Sequence, residues 1–389
     1  MAPSDSRSLD AFAAGKLASL EAKNLRRTLI DTAREDAIWM VRHGKRLLSF
    51  SCNDYLNLTQ HPAIQEAAIA AVRTHGVGAG ASRLVTGNHP LFSELETRLA
   101  RLKGTEAACV FGSGYLANLG IIATLMGRND LVLVDELSHS CILSGGELSG
   151  GALMTFRHND MAHAEELLKE HRTKYRHAMI ATDGVFSMDG DLAPLHDLSA
   201  LAQKYDAWLL TDDAHGIGVI GGGRGSTFAH GRKAEVHLQM GTLSKAIGGY
   251  GGYLCASQAV VDLMKTRART LVYSTGLPPA TVAAAIAGID LIERDPNYAI
   301  RPMRKAKAFT ARLNLAEAMS PIVPIVLGNT EATLRASKLL EDHGFLVAAI
   351  RPPTVPNGTS RLRLTFTAAH PDAEIERLAS IIGDHILPR

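Results

Sequence analysis

The segment 241–252, GTLSKAIGGYGG, offers the clearest chemistry in the chain. Lys245 follows an apolar run and sits among Thr242, Ser244 and five glycines. A lone lysine is ordinarily a surface residue. Here the hydroxyls and the free N–H groups of a glycine-rich turn suit a phosphate. An amine beside a phosphate cradle suggests a Schiff base with pyridoxal phosphate. That cofactor makes two further demands. Its pyridine nitrogen needs a carboxylate, because the protonated ring is the electron sink, and Asp212 closes the apolar run 208–212. Its phosphate needs several donors, and 110–115 (VFGSGY) offers Ser113 and Gly114 at a turn entering a helix.

Other glycine patterns fail on position. GIGVIG (216–221) matches a dinucleotide fingerprint literally, but Asp212, Asp213, Ala214 and His215 intervene after the apolar strand and GGRGS follows in place of a helix. A pyrophosphate site needs its glycines at the strand-to-helix turn. There is no Walker A pattern and no G-x-S-x-G elbow. His158, His163, His171 and His177 cluster in sequence without metal-ligand spacing and read as solvated helix faces, so no metal site is expected.

The elements that must position these residues alternate. Apolar runs at 131–135, 178–183, 208–212, 237–242 and 252–256 lie among helical stretches at 116–126, 160–171 and 194–205. Short continuous apolar strands between helices imply an α/β fold, a mostly parallel sheet covered on both faces. Several runs end in Asp or Thr, and ligands of such sheets bind beyond the strands' carboxyl ends. Helices are expected at 62–74, 90–103 and 278–294, and an N-terminal one within 8–30 capped by Ser8. Short strands at 45–50, 322–327, 345–350 and 361–366 point to a second, smaller α/β lobe. The domains expected are 1–50 (helix and short strand packing on the small lobe), 51–280 (large) and 281–389 (small).

Composition narrows the class. The 389 residues carry 41 Lys and Arg against 39 Asp and Glu, a net +2, with 5% aromatics. That balance excludes a basic stripe or stacking platform for nucleic acid. No run approaches a membrane span, and the N-terminus lacks the apolar core of a signal peptide. Cys52, Cys109, Cys141 and Cys255 form no C-x-x-C pair, which fits reduced thiols in the cytoplasm.

The motifs taken together resemble one family. DGVFSMDGD (183–191), TDDAHGIGVIGGGRGS (211–226), GTLSKAIGGYGG and VYSTGLPP (272–279) are similar to those of the α-oxoamine synthases, with coverage from about Arg26 to the C-terminus. FSCNDYLNLTQHP (50–62), GAGASRLVTGNHPLFSELE (78–96) and IRPPTVPNGTSRLRLTFTAAH (350–370) extend the likeness. The resemblance implies an aminotransferase-like (fold type I) pyridoxal-phosphate transferase, with a seven-stranded sheet in the large domain and a homodimeric active site. It implies an acyltransferase that condenses L-alanine with pimeloyl-CoA, or with a pimeloyl carrier-protein thioester, in biotin biosynthesis. Glycine C-acetyltransferase, 5-aminolevulinate synthase and serine palmitoyltransferase share the machinery and differ in amino acid and acyl chain.

Roles carry over onto matching positions. Lys245 would bind the cofactor, Asp212 its ring nitrogen, and His215 its phenolic oxygen with Ser187 nearby. His139 would stack on the ring and donate to the thioester carbonyl. Ser113, Gly114, Tyr115 and Thr242 would hold the phosphate, joined by Ser274 and Thr275 from a second subunit. Arg363 would pair with the alanine carboxylate, and Asn53, Arg26 and Thr354 would contact substrate. The basic residues Lys16, Lys23, Arg26, Arg27 and Arg34 are candidates to meet CoA phosphates.

Overall fold

A computed structural model describes residues 8–23 and 25–387. In chain order the strands are β1 (Thr32–Asp36), β2 (Trp39–Arg42), β3 (Lys45–Ser49), β4 (Ala107–Phe111), β5 (Leu131–Asp135), β6 (Ala152–Phe156), β7 (Ala178–Asp183), β8 (Trp208–Asp212), β9 (Leu238–Thr242) and β10 (Gly252–Ala256). They continue with β11 (Ile322–Gly328), β12 (Phe345–Leu346), β13 (Ala348–Ile350) and β14 (Ser360–Thr365). The central sheet has seven strands in the order β4-β10-β9-β8-β7-β5-β6. Only β10 runs antiparallel to its neighbours, β4 and β9. The other pairings are parallel.

β5, β7, β9 and β10 are buried along their whole length, as strands covered on both faces must be. One face packs on helices Pro62–His75, Pro90–Lys103 and Pro279–Arg294 through Leu95, Leu99 and Ile289. The other packs on helices Gly114–Leu125 and Gln258–Arg267 through Ile121, Val261 and Met264. Each of the first three helices begins with Pro in its first turn, where the missing N–H costs nothing.

The second core joins the chain's two ends. β12 extends the β1-β2-β3 meander in parallel, and β11-β14-β13 form an antiparallel sheet beside it. Phe50 stacks on His370 at 4.0 Å, and His370 Nε2 lies 2.9 Å from the Ser49 carbonyl. Helix Leu9–Ala22 is shorter than the expected stretch and buries no residue, although Ser8 caps it as expected. Its apolar positions do not gather on one face against the core, so periodicity alone overstated its packing.

Candidate active site

Four carboxyl ends of parallel strands converge on one cavity of about 230 Å³. β8 delivers Asp212, β7 Asp183, β9 Thr242, and the turn after β4 brings Ser113 to the N-terminus of helix Gly114–Leu125. Ser113 caps that helix, accepting from Leu116 N at 3.2 Å. The turn lies hard against β10: a Cβ at Gly252 would sit 2.4 Å from the Ser113 carbonyl oxygen, so only glycine fits there. Tyr115, His139, Cys141, Ala214, His215, Met240, Ser244 and Lys245 complete the lining with Gly114.

The polar contacts inside form two groups. Asp212 Oδ2 accepts from Asn118 Nδ2 at 2.7 Å, and Asp212 Oδ1 from Ala214 N at 2.9 Å. Both are donors, the partners a carboxylate needs. The neighbouring Asp183 accepts from His139 N, and burial together with the charge of Asp212 raises its carboxyl well above the usual range. In the second group Lys245 Nζ lies 2.6 Å from His215 Nε2, and His215 Nδ1 lies 2.6 Å from the Tyr55 hydroxyl. Burial lowers the Lys245 amine to about 8 and holds His215 well below its ordinary value. His139 is lowered by burial as well.

Arg363, from β14, is buried and has no carboxylate partner. Its Nε donates to the Ser187 carbonyl and its Nη1 to Asn53 Oδ1 at 3.2 Å, while Nη2 is buried without a partner. An unpaired, desolvated guanidinium nitrogen is costly unless a ligand anion completes it. It reaches the cavity wall through Asn53 and Tyr55, whose hydroxyl lies 2.6 Å from His215 Nδ1.

The other expected residues stand apart from the cavity lining. Ser187 offers its backbone carbonyl to Arg363 and does not line the cavity. Ser274 donates to Thr270 O, and the exposed Thr275 bridges to Ser82. Arg26 pairs with Glu21 on the surface, and Thr354 instead accepts from Arg27 at 2.8 Å. Arg34 bonds Asp54 and Cys52, so it is already engaged. His158 differs from the solvated face read in the sequence: it is half-buried between Asp135 (3.0 Å) and Asp191 (2.8 Å).

Tyr55, Asn118, Cys141 and Asp183 escaped sequence reasoning. Asp183 had a signal, because its apolar strand ends in a carboxylate. Asn118 and Tyr55 had none, since each meets its partner across 94 and 160 residues of chain. Among the described residues, no group of three or more His, Cys, Asp or Glu is placed to hold a metal ion.

Comparison with known proteins assigns the fold to a class. The family model for aminotransferase class I and II matches residues 45–382, and the chain belongs to that family. A relative from Beijerinckia indica, "8-amino-7-oxononanoate synthase", is 62% identical over 97% of both chains. One of the same name from Methylocella silvestris is 64% identical over 89% of this chain and 98% of its own. Among solved structures, the serine palmitoyltransferase of Sphingomonas wittichii superposes with a TM-score of 0.90 at 28% identity over 98% of both chains. The 8-amino-7-oxononanoate synthase of Francisella tularensis does so at 0.75 and 25% identity, covering 87% of this chain and 98% of its own. A serine palmitoyltransferase solved with the pyridoxal-phosphate internal aldimine gives 0.89 at 28% identity over 97% and 98%.

Proposed function

We propose that the chain condenses L-alanine with a pimeloyl thioester, releasing carbon dioxide and the free thiol, to make 8-amino-7-oxononanoate for biotin synthesis. The observation that carries this reading is one cavity joining Lys245, Asp212 and His215, with the unpaired Arg363 Nη2 beside it. The relatives' shared name supports it at about the same identity over nearly the whole length.

Pyridoxal phosphate is the cofactor, and the residues present fit it. The amine of Lys245 would attach it, Asp212 would serve its ring nitrogen, and His215 its phenolic oxygen. Ser113, Gly114, Tyr115 and Thr242, at the N-terminus of a helix 12 residues long, would hold its phosphate. When bound, it supplies an electron sink for carbanion chemistry at an amino acid's α-carbon.

The chain's own groups do the rest. Arg363 Nη2 and Nη1 orient the alanine carboxylate, for which a guanidinium fork is suited. Lys245 takes the Cα proton as a positioned base, aided by an amine lowered to about 8. The alanine Cα then bonds the acyl carbon, the carbon–sulfur bond breaks, and the sulfur leaves as thiol. His139, at the cavity wall, donates toward the thioester oxygen. The bond from Cα to its carboxylate breaks next, and a proton returned by Lys245 replaces it. Asn53 contacts substrate through Arg363; Arg26 and Thr354 contact the acyl donor from the surface.

We read the enzyme as a cytoplasmic homodimer in which Ser274 and Thr275 reach the partner's cofactor phosphate. Four free cysteines suit a reducing compartment. No helix among the described residues is long and apolar enough to cross a membrane. Lys245→Ala should abolish the visible absorption band formed with pyridoxal phosphate, and an unchanged spectrum would sink the assignment. Structural kinship to serine palmitoyltransferase puts glycine and serine beside alanine in the assay. Turnover that prefers either, with any of acetyl-, succinyl- or palmitoyl-CoA, would overturn the substrate choice.

A further inference from the structure

Behind the cavity, a series of buried and part-buried contacts leads from Lys245 toward Arg363. Lys245 Nζ meets His215 Nε2 at 2.6 Å, and His215 Nδ1 meets the Tyr55 hydroxyl at 2.6 Å. Tyr55 then lies 3.4 Å from Asn53 Oδ1, which already accepts from Arg363 Nη1 at 3.2 Å. Tyr55 is fully buried and His215 nearly so.

The charges around His215 decide its state. Facing it are Lys245 from the loop after β9, Arg363 from β14, His139 from the start of helix Ser140–Ser149, and Tyr55. Lys245 and Arg363 both disfavour a second positive charge, and burial adds to them. The ring is therefore neutral and carries one proton, on Nδ1 or on Nε2.

Tyr55 settles which. Its proton has two acceptors in reach: the His215 nitrogen at 2.6 Å and an Asn53 oxygen at 3.4 Å. The short contact is a full hydrogen bond and the long one is marginal. Asn53 Oδ1 is also partly satisfied by the guanidinium. Burial raises the Tyr55 phenol to about 12 against the opposing charge of Arg363, so the hydroxyl keeps its proton and has it to donate.

We propose that Tyr55 is a positioning residue that donates to His215 Nδ1 and so locks the imidazole in the tautomer whose Nε2–H points into the cavity. His215 then presents a donor where an anionic cofactor oxygen would need one. The opposite tautomer would present a lone pair. A lone pair would repel an oxyanion there, so one remote phenol sets the sign of the contact.

The inference rests on the cofactor reading, and the test separates the two. The holoenzyme is prepared with ¹⁵N-labelled histidine, and His215 is assigned by its loss in His215→Gln. Nitrogen chemical shifts should show Nε2 protonated and Nδ1 bare. Tyr55→Phe keeps the ring volume and removes the donor. It should move His215 to the other tautomer or to a mixture, and shift the pH midpoint of the visible band. It should also lower kcat about tenfold with little change in KM for the thioester, the size of one lost hydrogen bond. Wild-type protein with Nδ1 protonated would overturn the proposal without any variant. So would a Tyr55→Phe enzyme that is less heat-stable but keeps the tautomer and midpoint. A wild-type protein that forms no visible band with pyridoxal phosphate would instead defeat the cofactor reading.

Discussion

Arg363 shows how one residue's environment can point to a bound anion. A buried guanidinium normally finds a carboxylate, as neighbouring Arg361 does with Asp189. Arg363 shares a face of β14 with Arg361 but finds only a carbonyl and an amide oxygen, leaving Nη2 free. Arg363→Lys keeps the charge and loses the fork. It should raise KM for the amino acid by more than about tenfold while leaving KM for the thioester near its original value. Equal losses on both substrates would show that the residue serves the fold instead. Lys245 was legible from its glycine-rich setting, whereas the vacancy on Arg363 was not, because it depends on what fails to approach.

At the scale of elements, the loop between β7 and helix Leu195–Lys204 is held by side chains from several elements. Ser187 O fastens it to Arg363, Asp189 to Arg361, and Asp191 to His158, which also bonds Asp135 at the end of β5. Two carboxylates raise the His158 pKa to about 10, against the opposing effect of burial. The folded-state pKa therefore lies above that of the unfolded chain. Its stabilisation is fully present below about pH 6.5 and is lost as pH rises toward about 10. His158→Gln should lower Tm at pH 6 by a few degrees, for a loss of about 1–2 kcal/mol. The difference from wild type should shrink as pH rises through that window, as differential scanning calorimetry at several pH values would show. A constant difference would mean that packing against Phe186 accounts for the effect.

For the whole molecule, one exposed apolar feature gathers side chains from separate stretches of chain. Val77 is 79% exposed, Val85 74% and Tyr273 77%, with Leu84 and Tyr250 also over half exposed. The bridge Ser82 to Thr275 and the bond from Gly276 N to Ala81 O bring the 77–85 and 273–276 stretches together. An apolar surface of this kind calls for a covering partner. It adjoins Ser274 and Thr275, the residues assigned to the partner's phosphate. Val85→Asp should convert a dimer to a monomer in light scattering and weaken pyridoxal phosphate retention. A wild-type monomer with full cofactor occupancy would remove the shared-site reading.

Much of this architecture was legible before folding. The apolar runs 131–135, 178–183, 208–212 and 252–256 are strands with those bounds, and helix 90–103 ends at Gly104 in the left-handed conformation. These follow from local rules: burial on both faces makes a strand uniformly apolar, and a terminal glycine needs no neighbour to bend. By itself the sequence determined the alternating α/β order and the polar strand ends. It also determined the lysine in its glycine-rich, hydroxyl-bearing turn. Only the tertiary structure decided the meander's union with β12, the antiparallel β10 and the grip on His158. The same holds for the line from Lys245 through His215 and Tyr55 to Asn53 and Arg363. Those contacts span up to 310 residues of chain, and which side chains meet over such separations depends on how whole layers pack, which no local period records.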